Sequence, residues 1–322
     1  IPRLVFEVLA VLICLLIVNF FFQDSREQLL PILTLYGISL VRLIPSYSQI
    51  TSAILNIKFF RISFDMICNE LEIIEPKFEE EKIYSGNKNL IYEKNKIINI
   101  NNLSFSYEEK KNVLKNINFN FITGQAIGII GNSGSGKTTF GDLLMGLYEP
   151  ENGLITYDNK NINKYPNEWK SMIGYVPQDV FILDTNLRNN ITVEFEEKNI
   201  DYEKLDRAIK MSNCEEYINK LPNKLDTEVG ERGIRLSGGQ RQRIGIARAI
   251  YKDPDIILFD EATSNLDSVN EQEIIKSIVG LKKFKTLICI SHKLSNLKNM
   301  DKIIVFKDGM IDKAGNLNDI TS

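Results

Sequence analysis

An α/β domain on a largely parallel sheet, preceded by two membrane-spanning helices, is the fold class that this sequence of 322 residues predicts. Three observations predict it. Two apolar runs, 4–22 and 29–50, fill the first fifty residues. From Ile97 onward, short apolar strands alternate with helical patterns, the order of a mostly parallel sheet with helices on its faces. A glycine-rich turn, GNSGSGKTT from Gly131 to Thr139, stands between an apolar strand and an apolar-periodic helix.

The elements follow in chain order. Leu4 to Phe22 is apolar except for Glu7 and Asn19. A helix of that length spans roughly 28 Å, about the hydrocarbon thickness of a bilayer. The run is too long for a signal peptide, and no small-residue cleavage site follows it. A polar connection, Gln23 to Gln28, leads to the second run, Leu29 to Ile50, which holds Tyr36, Gly37, Arg42, Pro45 and Gln49. A helix lining a cavity has this character, because polar groups at membrane depth must face protein or water. Arg3, Lys58 and Arg61 flank the pair, whereas the connection has only Arg26 among acidic neighbours. The positive-inside rule therefore places both ends in the cytoplasm. Arg42 lies about 20 Å along the second span. Two readings of it stand: an arginine snorkelling to the interface, or a cavity cation that holds an anionic substrate group.

A cytoplasmic helical extension is expected to about residue 75. Residues 76–96 (PKFEEEKIYSGNKNLIYEKNK) are charged and lack an apolar period, and read as a linker; 97–322 forms the α/β domain. The chain begins at Ile1 without a methionine and enters an apolar run at once, which reads as a piece of a longer protein. The net charge of −3 gives no reason to expect nucleic acid. Cys14, Cys68, Cys214 and Cys289 show neither metal-like nor disulfide-like spacing, which suits a reducing compartment. The single histidine, His292, excludes any site that needs two imidazoles.

Gln125 to Ile130 reads as a buried strand, and Gly131–Thr138 fits G-x-x-x-x-G-K-[ST]; Phe140, Leu143, Leu144 and Leu147 then follow helical spacing. In such a loop the backbone N–H groups of Gly131, Asn132, Ser133, Gly134, Ser135 and Gly136 wrap phosphates, and the helix N-terminus adds partial positive charge. Lys137 would reach the β- and γ-phosphates, the Thr138 hydroxyl would ligate Mg²⁺, and Thr139 completes the turn. Asp255 to Glu261 (DIILFDE) is an apolar strand ending in two carboxylates. Asp260 would hold hydrated Mg²⁺ and Glu261 would polarise the attacking water. A second glycine turn, LSGGQRQ from Leu236 to Gln242, reads as the start of another helix.

LSGGQ resembles the signature of ATP-binding-cassette (ABC) ATPases, and 97–322 looks like a complete nucleotide-binding domain of that family. The resemblance implies an antiparallel β subdomain and a helical subdomain beside the parallel sheet. Tyr107, closing LSFSY, resembles the aromatic that stacks on adenine, and Gln178 in YVPQD the glutamine that touches Mg²⁺ and the membrane-domain interface. TEVGERG (Thr227 to Gly233) resembles the exporter segment before the signature. SNLD (Ser264 to Asp267) matches the D-loop, with Asn265 where a small residue is usual, and His292 matches the switch histidine that contacts the γ-phosphate. FKDGMI, around Asp308-Gly309, reads as a hairpin turn.

The resemblance further implies a head-to-tail homodimer with two composite ATP sites. Each nucleotide would lie between one copy's glycine loop and the other's Ser237, Gly238, Gly239 and Gln240, with Asp267 at the same interface. It implies the last two membrane helices of an exporter half-transporter in the cell membrane, four more preceding Ile1. PRLVFEVLA and RLIPSYSQI resemble stretches of lipid-linked oligosaccharide flippases of the PglK type. That likeness implies a polyprenyl-pyrophosphate-linked glycan as cargo and membrane lipid as surroundings, and gives Arg42 a pyrophosphate to pair with. A generic lipid, peptide or drug exporter shares the same ATPase. The soluble ABC ATPases that act on DNA share its motifs but lack apolar spans.

Overall fold

A computed structural model describes residues 26–83, 90–107, 112–264 and 266–321, together with 8, 11–13, 15, 16, 18 and 19. The chain divides into two units, Ile1–Gly86 and Asn87–Ser322.

In the first unit one helix, α1 (Arg26–Ile83), runs unbroken through the expected second span and past its end. Pro45 does not interrupt it, and Ser39, Ser46 and Thr51 return hydroxyl hydrogen bonds to carbonyls one turn back. Among the described residues no helix is long and apolar enough to cross a membrane. The stretch 29–50 is diluted by the Tyr, Gly, Arg, Pro and Gln side chains noted above, and the expected span 4–22 lies largely outside the described residues. The stretch 76–96 differs from a plain linker at both ends: α1 continues to Ile83, whereas Leu90 is buried in the core of the second unit. There Tyr92 Oη meets Thr286 Oγ1 at 3.0 Å, and the Glu93 N–H donates to Tyr157 Oη at 2.7 Å.

The second unit has two sheets. Strands β1 (Ile97–Phe105), β2 (Leu114–Ile122), β4 (Asn152–Tyr157) and β5 (Lys160–Asn161) form an antiparallel sheet in the order β2-β1-β4-β5. The other sheet has the order β10-β9-β3-β8-β7-β6, where β3 is Ala126–Gly131, β6 Ile173–Val176, β7 Ile256–Asp260, β8 Thr286–Ser291, β9 Lys302–Lys307 and β10 Met310–Gly315. All its pairs are parallel except β9–β10. That hairpin turns on Asp308 and Gly309, both at positive φ, the mirror-image turn that suits twisted strands. β7 and β8 are buried at every residue, which is why they read as continuous apolar runs rather than alternating ones.

The helices are α2 (Lys137–Leu144), α3 (Pro166–Ser171), α4 (Leu187–Thr192), α5 (Tyr202–Met211), α6 (Glu215–Asn219), α7 (Gly238–Tyr251), α8 (Ser268–Leu281) and α9 (Leu317–Thr321). α2 stops earlier than the spacing suggests. Gly146 adopts positive φ and its N–H bonds Leu143 O, so Leu147 falls beyond the helix and is exposed. Trp169, on α3, is 2% exposed and its Nε1–H donates to Leu144 O at 2.7 Å, tying down the last carbonyls of α2. One apolar cluster packs the antiparallel sheet and α2 against β3, β7, β8 and β9; another packs α4, α5, α7 and α8 on the sheet's other side. Gln242, on α7, donates to Pro177 O at 3.1 Å and so joins that helix to the segment carrying Gln178.

Candidate active site

Three adjacent parallel strands end at one level. In register, Ile130 faces Ser291 and Asp260 faces Ile290. The residues that follow, the loop 132–136, Glu261 and His292, therefore gather at the carboxyl edge of the sheet, where open α/β sheets bind ligands.

The loop is shaped by close packing as much as by flexibility. A Cβ at Gly131 would lie 2.5 Å from Phe306 O, and one at Gly136 would lie 2.7 Å from Leu114 Cδ2. Gly136 caps α2 at φ 99°, with no side chain bonding the helix's first amides. An N-terminus left open in this way is a ready anion site. The hairpin turn supports the loop from behind, the Gly309 N–H donating to Ser135 O at 3.2 Å. Ser135 Oγ is buried without a hydrogen-bond partner, a polar group suited to an incoming oxyanion. Lys137 Nζ donates to Gly131 O at 3.0 Å and Asn132 O at 2.9 Å. Burial draws the Lys137 ammonium below its ordinary pKa, while the charges of Glu261 and Asp260 oppose the shift. Asn132, Ser133, Gly134 and Thr138 are exposed at the mouth, and Gly131, Asn132, Ser133 and His292 line one open cavity.

Asp260 is 8% exposed. Burial, then the charge of Glu261, pushes its carboxyl above the usual range, partly offset by the Tyr175 hydroxyl, which donates to Oδ2 at 3.4 Å. A buried acid raised in this way favours an incoming cation. Glu261 sits at φ 50°, in the left-handed region, where the chain turns out of β7. Its Oε1 lies 2.5 Å from His292 Nε2. Gln178 Nε2 donates to Ser264 Oγ at 3.1 Å, so the glutamine and the D-loop segment meet. Tyr107 lies just past β1 and is 40% exposed, its ring edge-on to Phe105 and Tyr148, and its hydroxyl donates to Thr139 Oγ1 at 3.2 Å.

The second glycine turn opens α7 as expected. Ser237 is its N-cap: Ser237 Oγ accepts from the Gln240 N–H, and Gln240 Oε1 accepts from the Ser237 N–H, a reciprocal capping box. Gly239 must be small because a Cβ there would lie 2.9 Å from Asn270 Oδ1. Asp267 caps α8 and accepts from Asn270 Nδ2 at 2.6 Å. Among the described residues, no hydrogen bond or ion pair joins Ser237, Gln240 or Asp267 to the loop 131–139. Lys137, Asp260, Glu261 and His292 thus gather at the sheet edge, while the bonds of the second turn are local to α7. Asn265 lies outside the described residues, and Arg42 is an exposed residue of α1 in the other unit.

Sequence reasoning missed Tyr175 and a group formed by Glu271, Lys293 and Asn296. Tyr175 and Lys293 each stand within three residues of a motif residue, Gln178 and His292, and that proximity was the only signal. Among the described residues no cluster of three or more His, Cys, Asp and Glu side chains is placed to hold a metal alone. The expected donors for Mg²⁺ are instead one carboxylate, Asp260, with the Thr138 hydroxyl and the Gln178 amide. Those hard oxygens fit a cation whose remaining ligands are phosphates and water.

The family model described as ABC transporter matches residues 114–264. The chain is 34% identical over 312 residues to the heterocyst differentiation ATP-binding protein HepA of Nostoc sp., covering 96% of this chain and 50% of that protein. It is 38% identical over 216 residues to the ATP-dependent lipid A-core flippase of Pectobacterium atrosepticum, covering 66% of this chain and 37% of that one. The chain therefore spans half or less of these relatives' length. A solved structure of a bacterial Atm1-family ABC exporter with ATP bound superposes with a TM-score of 0.66 at 33% identity, over 73% of this chain and 41% of that chain. The matched stretch holds the glycine loop, the capped glycine turn and the paired carboxylates, and the fold of the second unit is that of an ABC transporter ATP-binding domain.

Proposed function

We propose that this chain is the ATP-hydrolysing subunit of a membrane ABC exporter and works as a homodimer. The observation that carries the reading is the Glu261–His292 pair, held at the sheet edge beside Lys137 and the open N-terminus of α2. In this reading the amides of 131–136 and the Lys137 ammonium bind the phosphates, and Tyr107 presents its exposed ring to adenine. Glu261 orients the attacking water and accepts its proton, while His292 steadies Glu261 and faces the γ-phosphate. Mg²⁺, held by Thr138, Gln178 and Asp260, supplies neutralisation of the phosphate charge when bound. The turn at Ser237–Gly239 serves the nucleotide of a second copy, a reading supported by its bonds being local to its own helix. ATP then bridges two chains, and hydrolysis releases them.

The test is Glu261→Gln on the chain in lipid. The variant is expected to bind MgATP, to lose about 10²–10⁴ in turnover, and to accumulate as a dimer with ATP. Normal turnover would remove Glu261 from its role.

The proposed setting is the cell membrane, multi-pass, with 4–22 and 29–50 as spans and the ATP-binding domain in the cytoplasm. Support comes from relatives named as export or flippase proteins. The proposed cargo is an amphipathic molecule of the inner leaflet, narrowed by the resemblance to a polyprenyl-pyrophosphate-linked oligosaccharide. Arg42 would meet its pyrophosphate. Arg42→Ala is expected to abolish flipping of such a lipid in vesicles with basal ATP hydrolysis intact; unchanged flipping leaves Arg42 as an interfacial residue.

A further inference from the structure

A second polar assembly stands behind the Glu261–His292 pair. Lys293 follows His292 in extended backbone, φ −107° and ψ 118°, and caps the short 3-10 turn Leu294–Leu297. The two neighbours part: His292 meets Glu261, whereas Lys293 meets Glu271 on α8. Lys293 Nζ donates to both Glu271 oxygens, at 3.0 and 2.9 Å. Asn296 Nδ2 donates to Glu271 Oε1 at 2.8 Å and to Thr263 Oγ1 at 3.0 Å. The turn is closed locally by Ser291 Oγ, which accepts from the Lys293 N–H at 3.1 Å, and by Lys293 O, which accepts from the Asn296 N–H.

Thr263 stands two residues after Glu261, and Lys293 one after His292. One carboxylate thus holds, directly or through Asn296, side chains from the segments that follow each member of the pair. Glu271 is 8% exposed. Burial alone would raise its carboxyl, but the hydrogen bonds from Lys293 and Asn296 outweigh it and hold the group below its ordinary range. A carboxylate so enclosed persists as an anion only against partners of this kind. The Glu271 N–H also donates to Asp267 O at 2.9 Å, in the first turn of α8, so the assembly is anchored where the D-loop enters that helix.

We propose that Glu271, Lys293 and Asn296 form a positioning clamp that sets the His292 imidazole against Glu261; the proposal rests on reading those two residues as the hydrolytic pair. The clamp touches no substrate. Its effect reaches the reaction through the orientation of His292, so it should act on turnover more than on nucleotide binding.

The chain has a single histidine. Tag-free chain in lipid nanodiscs, labelled with ¹³C in the histidine ring, therefore yields one imidazole signal that reports His292 alone. Lys293→Met is expected to shift that signal and to lower kcat about tenfold, with KM for MgATP held within about twofold, the pattern of a lost charge-assisted contact that acts on the transition state. Lys293→Arg, which keeps the charge and donors, should restore both. Glu271→Gln keeps the shape and an acceptor for Asn296, and should move the signal in the same direction even where Lys293→Met fails to fold. An unmoved histidine signal in a folded variant overturns the clamp, as does a Lys293→Arg chain as impaired as Lys293→Met. An unmutated chain that fails to hydrolyse ATP overturns the hydrolytic reading instead, and the histidine signal still decides the clamp.

Discussion

Gly136→Ala separates the roles of space and backbone conformation in the phosphate loop. At φ 99° an L-residue is strained, at about 1–2 kcal/mol. The new methyl would also lie 2.7 Å from Leu114 Cδ2 and 3.3 Å from Val113 O. Leu114 is fully buried and the carbonyl is backbone, so neither can withdraw freely; overpacking of this kind costs about 1–3 kcal/mol. Together the variant should lose about 2–5 kcal/mol, which a domain of ordinary stability survives with its loop displaced. Gly134→Ala is the matched control: φ is 75° but nothing lies within 4 Å of the added Cβ, so only the backbone strain applies. Urea unfolding can be followed by the only tryptophan, Trp169, whose indole hydrogen-bonds the end of α2. Fluorescent-nucleotide titration gives the affinity. Gly136→Ala should lose more stability than Gly134→Ala and should weaken MgATP binding at least about tenfold, since each 1.4 kcal/mol of misplacement is a factor of ten. Equal losses in the two variants would refute the packing argument.

Three other measurements probe separate parts of the molecule. Asp253 accepts from Lys285 at 2.8 Å and pairs with Arg207 at 3.1 Å, and the Lys285 hydrogen bond leads the causes that hold its carboxyl below the usual range. A depressed folded-state pKa stabilises above the unfolded value of about 4 and is lost as pH falls through the folded one. The melting-temperature advantage of the unmutated chain over Asp253→Asn should therefore shrink between about pH 5 and pH 3; a gap constant with pH contradicts it. Gln240→Ala removes half of the capping box and should cost about 1 kcal/mol of stability, with ATP-driven dimer formation weakened more than binding by a single chain, as sedimentation with and without MgATP would show. Chelating Mg²⁺ with EDTA should stop phosphate release while nucleotide still binds, and Asp260→Asn should lose the stimulation by added Mg²⁺; Mg²⁺-dependent turnover persisting in that variant excludes Asp260 as a ligand.

The sheet was legible where short apolar runs were bounded by polar residues. TLICIS and DIILFDE became β8 and β7 because central parallel strands are buried on both faces and carry no alternation to be misread. The glycine loop was legible because its order of strand, turn and helix is itself the requirement for binding phosphate. Leu147 misled because helical spacing continued past Gly146, where positive φ ends the helix. Leu90 and Tyr92 were hidden in a charged stretch, since two apolar residues make no period, yet they close the edge of the domain. The Glu271–Lys293 contact was invisible for another reason. Its partners are far apart in sequence and belong to elements whose pairing only the fold decides. Ser237 and Gln240 were read as ligand-facing, and their mutual bonds show that the turn's shape is set before any ligand is considered.

The Lys137 ammonium already rests on the carbonyls of Gly131 and Asn132. The loop is thus braced from within, like an arch holding its own keystone. Capturing a triphosphate exchanges one set of oxygen acceptors for another and adds little new order, so the affinity should depend on how well the newcomer's charge outbids two peptide dipoles.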